Sequence, residues 1–360
     1  MKVAVDARTL QDERPGGVGR GLANLLPFLA DDAELVLLVD DRRPPIELDL
    51  PQARLRAPMS RRGAAWLQVA LPRWLRHWPG IFHCPYNGLP FIQPVPMVVT
   101  IHDLTFESHP EFFASAWPNR RAFQIQARLA AKTAACVLTV APSVRDEIIA
   151  RYGLSENRIL VAPNAVDPRI ANMSEEAARR RQRSLQLPHR YVVALGGAER
   201  RGLQAAIDAW WPLREEIDLV AVGGSPDQVT RASKVLPWLD TNDWAALLRG
   251  AEAFVYPTQY ESFGMPALEA AAVGVPTICA PVGALPETLG EAAAWADDPS
   301  APAIRRVLSH LVSSPSFRAE LGHRAREHAA RWPSWQDTAS TVLESWHMAA
   351  RRTTDASPSP

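Results

Sequence analysis

The stretch YVVALGGAERRGLQAAIDAWWPLREEIDLVAVGG, residues 191–224, decides the fold. It opens on an apolar run, YVVALGG, passes through residues 203–211 at helical spacing, and closes on a second apolar run, IDLVAVGG. Continuous apolar strands joined through a helix predict parallel pairing in a sheet buried on both faces. The alternation continues through a helix near 242–250, AFVYPT, a helix from Pro266, PTICAP and helices from Ala301 onward. It is already present upstream, in KVAVDA, a helix across GRGLANLLPFLA, ELVLLVD and a Trp-rich helix near 64–78. IFHCPY, PMVVTIHD, a long helix near 117–134, CVLTVAP and RILVAPNAV complete that first series. A polar, arginine-rich interruption, ANMSEEAARRRQRSLQLPHR, separates the two. We therefore expect an α/β protein with two Rossmann-like, doubly wound domains, 1–172 and 190–350, a linker at 173–189 and a disordered tail at 351–360. The last helix of the second domain is free to pack back on the first. Ligands of such sheets lie outside the carboxyl ends of the strands, here expected in a cleft where the two domains face each other.

Length and composition bound the chemistry. At 360 residues the chain exceeds what one core usually supports. A formal net charge of zero argues against a protein held to nucleic acid by bulk electrostatics. Cys84, Cys136 and Cys279 are odd in number and lack metal or disulfide spacing, which fits a reducing cytoplasm. MKVAVDARTL turns charged too early for a signal peptide, and no apolar run reaches the roughly 18–20 residues of a membrane span.

The chemistry concentrates in YESFGMPALEA, residues 260–270. Pro266 is favoured at the first position of a helix, so SFG reads as a loop, and Glu269 falls in the first helical turn. The backbone N–H groups of Phe263, Gly264 and Met265 then face the cleft at a partly positive helix end, suited to phosphate or sugar oxygens. Glu261 and Glu269 are eight residues apart, roughly 12 Å if helical, against the about 5–5.5 Å of a retaining hydrolase pair. Two carboxylates holding different parts of one long ligand is the simpler reading. Arg200 and Arg201 follow a strand and precede a helix, where guanidinium forks can reach an anion.

The segment YPTQYESFGMPALEAAAVGVPTICAPVGALPETLGEAA strongly resembles the nucleotide-sugar site of the retaining glycosyltransferases of family GT4, which have the GT-B fold, and its E-x7-E pair. The resemblance implies that Glu269 holds the ribose hydroxyls, that Glu261 contacts the donor sugar, and that the backbone at Phe263 and Gly264 meets sugar oxygens. The arginine segment departs from the family in two ways, since ERRGL is one residue shorter than the usual E-P-R-K-N-L and arginine stands where lysine is usual; Ser262, Ala141 and Ala165 are further departures that remove no charged group. Arg200 and Arg201 are therefore assigned to the diphosphate together.

In the first half, RPGGVGRGL is a glycine-rich turn opening a helix, with Gly17 and Gly19 able to let backbone approach a phosphate or the acceptor. A dehydrogenase fingerprint fails on spacing, because Leu22 stands where a third glycine is required. Residues 16–20 match the family's G-G-[IV]-G-R loop. His102 and Asp103 end the strand of PMVVTIHD; the resemblance makes His102 a hydrogen-bonding or positioning group near the donor, while Asp103 reads as local structure. WLQVALPRWLRHWPG mixes tryptophan with arginine, which suits a membrane interface, but core packing is the simpler reading and Pro72 interrupts the helix. Trp238, in KVLPWLDTND, is likewise read as core rather than as a base-stacking ring.

These readings converge on a metal-independent retaining glycosyltransferase with no cofactor. It would use a nucleoside diphosphate sugar as donor and a glycan or lipid-linked glycan as acceptor, in the cytoplasm or at the inner face of a membrane. No Asp-x-Asp motif for a metal is present. A catalytically silent sugar- or partner-binding module and an NAD-dependent oxidoreductase are the competing readings.

Overall fold

The computed structural model describes residues 1–12, 16–43, 50, 53–56, 65–113, 120–224 and 229–355. The chain divides into two compact units, residues 1–165 with 333–360, and residues 166–332.

Unit 1 is built on strands β1 (Lys2–Asp6), β2 (Glu34–Leu38), β3 (Arg54–Arg56), β4 (Ile81–Cys84), β5 (Met97–Thr100), β6 (Cys136–Thr139) and β7 (Ile159–Val161). They form one parallel sheet in the order β3-β2-β1-β4-β5-β6-β7. Every residue of β4, β5 and β6 is buried, as central parallel strands require. Helices α1 (Gly17–Ala30), α2 (Leu71–Leu75), α3 (Arg120–Thr133) and α4 (Pro142–Tyr152) lie between them in sequence. Pro72 does not end its helix, contrary to expectation. Residues Trp66–Ala70 are wound as a π-helix that runs directly into α2, and Pro72 follows this widened turn as the second residue of α2.

Unit 2 repeats the plan with β8 (Tyr191–Leu195), β9 (Asp218–Val222), β10 (Lys234–Leu236), β11 (Ala253–Val255), β12 (Thr277–Cys279) and β13 (Ala293–Trp295). The order is β10-β9-β8-β11-β12-β13, again all parallel. Its helices are α5 (Glu175–Ser184), α6 (Leu203–Trp210), α7 (Thr241–Gly250), α8 (Met265–Ala272), α9 (Ala301–Ser313) and α10 (Pro315–Arg331). The period of two along β8 splits its side chains between two cores: Val192 and Ala194 pack with α6 and α9, while Tyr191, Val193 and Leu195 pack with α7 and α8. The stretch 173–189 is not an open linker. Ser174 caps α5 by accepting from Ala177 N, and Gln182 Nε2 donates to Ala246 O of α7.

The chain then returns to unit 1 through α11 (Trp335–Asp355), whose Ala339, Val342 and Trp346 fill the same core as Leu22, Leu26 and Leu29 of α1. Residues 351–355, expected as tail, are the last turns of this helix; 356–360 lie outside the described residues, as do the expected helix starts at 64 and 117.

Trp346 Nε1 donates to His83 Nδ1 at 3.2 Å, so the other ring nitrogen carries the proton toward Thr100 Oγ1 at 2.9 Å. Burial, with the neighbouring His102 adding to it, pushes His83 from 6.5 down to about 3. The unfolded chain binds this proton as pH drops through about 6.5 and the folded chain does not, so stability present above that pH is lost as pH falls toward 3. Urea unfolding between about pH 7 and 5 should show a steeper loss in the wild type than in His83→Gln, by about 2 kcal/mol over the whole interval. Equal slopes would refute the assignment.

Candidate functional site

Sheet order reverses between β8 and β11 in unit 2, and the carboxyl ends of the strands at such a reversal are where doubly wound sheets bind their ligands. After β8 the chain runs through Gly196 and Gly197 to a short 3-10 turn, Glu199–Arg201, and enters α6 at Gly202. Gly202 has φ +71, and a Cβ there would lie 2.2 Å from Pro257 O, so glycine is required for the two loops to touch. After β11 the chain runs from Tyr256 to Gly264, also at positive φ, and enters α8.

The two loops are sewn together around Arg200. Gln259 N donates to Arg200 O at 2.8 Å, and Arg200 NH1 donates to Tyr260 O at 2.7 Å and to Glu261 Oε1 at 3.2 Å. Tyr256 also donates its phenolic proton to Glu261 Oε1. Burial, then the charge of Glu261, raises the Tyr256 phenol well above its ordinary value, so it remains a donor. One carboxylate oxygen is thus fixed twice, while Oε2 takes no partner among the described residues. The Glu261 side chain is 12% exposed and that of Arg200 26%.

The amides of Phe263, Gly264 and Met265 find no acceptor among the described residues, although the Gly264 carbonyl accepts from Ala267 and Leu268. Three consecutive amides without an acceptor at a helix start have the chemistry to receive an anion. The Phe263 ring turns inward against Trp332, 5.8 Å between centroids, so only its backbone is on offer. Met265 is buried as well.

Arg201 has different partners. Its NH1 donates to Gly196 O at 3.1 Å, its guanidinium is 5.6 Å from the centre of the Trp238 ring, and its buried Nε is unpartnered among the described residues. Trp238 is not core, contrary to expectation; it is 41% exposed. Its ring rests on backbone, for a Cβ at Gly223 would meet it at 2.8 Å and one at Gly197 at 3.0 Å. Glycines at these strand ends therefore seat an indole with surface left open to solvent.

Glu269 departs from expectation too. It is the fifth residue of α8, beyond the first turn, and 1% exposed, with Oε2 accepting from Trp244 Nε1 at 2.7 Å. No described contact joins it to Arg200 or Arg201. Its carboxylate is held inside unit 2, against Trp244 of α7.

In unit 1, Gly17 and Gly19 sit inside the first turn of α1 instead of a preceding turn, Gly17 exposed and Gly19 buried. His102 donates Nε2–H to Pro85 O at 2.8 Å, which leaves Nδ1 as acceptor, and burial lowers its pKa despite some exposed surface. Asp103 accepts from Thr105 N at 2.9 Å, a local turn. Sequence reasoning missed Tyr256 and a cluster at the β1 and β4 ends. There Asp6 Oδ1 and Oδ2 take Arg8 at 2.9 and 2.7 Å, Tyr86 donates to Asp6 at 2.5 Å, and the Arg8 guanidinium stacks 3.4 Å from the Trp66 ring centre. An aspartate closing an apolar strand, in KVAVDA, was the available signal. Among the described residues no group of three or more His, Cys, Asp or Glu is placed to hold a metal ion, and no helix is long and apolar enough to cross a membrane.

Two doubly wound parallel-sheet units in tandem are the GT-B class of fold. Glycosyltransferase Family 4 matches residues 15–170 and Glycosyl transferases group 1 matches residues 178–328. The chain belongs to this glycosyltransferase family. Its relatives include MMP alpha-(1->4)-mannosyltransferase of Mycolicibacterium hassiacum, 28% identical over 71% of this chain and 66% of the relative. D-inositol 3-phosphate glycosyltransferase of Salinispora arenicola is 30% identical over 69% and 63%, and the serotype-specific mannosyltransferase WbdA of Escherichia coli 26% over 70% and 33%. The chain thus spans less than two thirds of each. Among solved structures, HepE of Anabaena in complex with UDP and glucose superposes with a TM-score of 0.75 at 16% identity, covering 95% of this chain and 98% of that one. WaaG, a glycosyltransferase involved in lipopolysaccharide biosynthesis, gives 0.73 at 14% identity over the whole of both chains. These two likenesses concern the fold alone.

Proposed function

We propose that the protein transfers a hexosyl group, with retention, from a nucleoside diphosphate sugar to a glycan or lipid-linked glycan, in the cytoplasm or at the inner face of a membrane. The observation that carries this is the set of three amides without an acceptor among the described residues, beside Arg200 and Arg201 at the carboxyl ends of β8 and β11. Amides and guanidinium groups hold the diphosphate, the open oxygen of Glu261 orients the sugar, and Trp238 stacks on the base. The family resemblance assigns the ribose to Glu269. The glycosidic C–O bond to phosphate breaks, the acceptor oxygen bonds to the same face of the anomeric carbon, and its proton passes to the departing diphosphate. Negative charge grows on that diphosphate, so the same donors bind more strongly in the transition state. His102 is assigned a positioning role by the family resemblance, as a neutral acceptor at Nδ1. Two of the relatives above are named mannosyltransferases, which makes mannosyl donors the first to test.

A thermal-shift panel of UDP, GDP, ADP, dTDP and NAD tests the reading. One nucleoside diphosphate at a hundred times its dissociation constant should add about 2.7 kcal/mol of stability. Trp238→Ala should weaken it roughly tenfold, within the range of base–aromatic stacking. A shift by NAD alone would replace the proposal with an oxidoreductase; nucleotide binding without transfer would favour a silent module. Transfer should persist in the presence of a chelator, and a strict need for a divalent ion would remove the metal-independent mechanism.

A further inference from the structure

The chain is neutral as a whole, yet residues 50–102 and 112–145 together hold eleven basic residues and no acidic one. The compensating negative charge lies elsewhere in the sequence. These two stretches contain the three segments that meet on one side of unit 1: the helical stretch from Trp66 to Leu75, the loop 88–93 and α3. Gln68 Oε1 accepts from Phe91 N at 2.9 Å, and Gln93 Nε2 donates to Thr133 Oγ1 at 2.6 Å. A Cβ at Gly88 would meet Gln126 Nε2 at 3.0 Å and Leu67 at 3.5 Å, so the loop bridges the two helices.

The four most exposed large apolar side chains among the described residues all fall on these segments: Ile125 at 64%, Phe91 at 61%, Ile92 at 58% and Val69 at 56%. Along α3, Arg121, Ile125, Arg128 and Lys132 recur at spacings of three and four and share one face, and Arg73 follows Val69 by one turn. Arg73, Arg121, Arg128 and Lys132 are exposed, and none of them forms an ion pair among the described residues. Of the described tryptophans on these segments, Trp66 is buried, and Trp74 and Trp78 are half-buried and stack on each other at 5.3 Å.

We propose that this face docks on an anionic lipid bilayer. Exposed apolar side chains ringed by unpaired cations match the two layers of such a surface, acyl chains beneath and negative headgroups above. Three of the four apolar groups are aliphatic and offer no ring for a nucleobase, which favours lipid over nucleic acid. The inference stands apart from the donor chemistry of unit 2, because all the residues involved belong to unit 1.

The test is co-sedimentation of the full chain with phosphatidylcholine vesicles, with and without phosphatidylglycerol, at low and high salt. The wild type should sediment with the anionic vesicles alone and be released by salt. Phe91→Asp with Ile92→Asp should abolish binding, and Arg121→Gln with Arg128→Gln should lower partition by roughly 25-fold, about fivefold for each cation removed. Val235→Asp, at an exposed apolar site in unit 2, should change nothing. Unchanged melting midpoints establish that the variants fold, and nucleotide shifts read on the same samples keep a failure here distinct from a failure of the donor site. No sedimentation at low salt, equal binding to neutral vesicles, competition by duplex DNA, or a solution dimer that the Phe91 and Ile92 changes dissociate would each overturn the proposal.

Discussion

Replacing Glu261 by glutamine should lower sugar transfer about 100-fold while leaving the fold and nucleotide binding intact. Glu261 Oε1 already serves Tyr256 and Arg200, and a glutamine oxygen can accept both hydrogen bonds in the same place. The change falls on the other atom. Oε2, without a protein partner among the described residues, becomes an NH2 group, so an outward acceptor turns into a donor and the charge is lost. A hydrogen bond to a charged group contributes about 1.5–3 kcal/mol, which spans the predicted loss when that bond is made to the reacting sugar. If Glu261 served only to hold Arg200, glutamine would preserve the rate to within a few-fold. Steady-state transfer, measured beside the thermal shift given by the donor nucleotide, separates the two: kcat should fall and the shift should stay. Glu261→Ala is the harsher change, since it also leaves the buried Tyr256 phenol without its acceptor, at a cost of about 1–3 kcal/mol in stability, and leaves Arg200 with Tyr260 O alone.

The strands that could be read from the sequence are those buried on both faces, such as YVVAL and MVVT, because burial demands uninterrupted apolar residues. The three that could not, Arg54–Arg56, Lys234–Leu236 and Ala293–Trp295, are three residues long and lie at sheet edges, where one side needs no partner and charge is tolerated. The supposed linker failed for a related reason. Its polarity marks an amphiphilic surface helix that buries only Ala178, a face too narrow to register as apolar periodicity. At the site, loop chemistry was legible: Pro266 and Gly264 announced where α8 begins, and that start leaves the amides free. What spacing could not convey was which carboxylate faces outward. Glu261 and Glu269 look alike as letters, and the indole of Trp244, 25 residues away in sequence, draws one of them inside. Trp238 was misread because an aromatic residue is ordinarily buried; the glycines that seat it at the strand ends come from two other loops.

The two adjacent arginines should prove unequal. Arg200 is wired to Glu261 and to the loop that ends at the free amides, so Arg200→Ala should cost about 10²–10³-fold in kcat, the loss typical of removing one preorganised donor from a developing anion. It also strips Glu261 of its cationic neighbour. The double variant with Glu261→Gln should therefore lose less than the product of the two single losses, as residues in contact generally do. Arg201 is wired elsewhere, to Gly196 O and the Trp238 ring, so Arg201→Ala should act chiefly on nucleotide affinity and combine additively with Glu261→Gln. Lysine should rescue neither fully. At 200 both bonds, to Tyr260 O and to Glu261, come from the single nitrogen NH1, and an ammonium on the shorter lysine stem must reach that position without the rigid guanidinium plane; at 201 it loses the guanidinium contact with the indole. Steady-state kcat and KM for the single and double variants decide the matter. Strict additivity between positions 200 and 261, or equal kcat losses at 200 and 201, would mean that the arginines act as interchangeable surface charges and that the wiring of this loop has no part in catalysis.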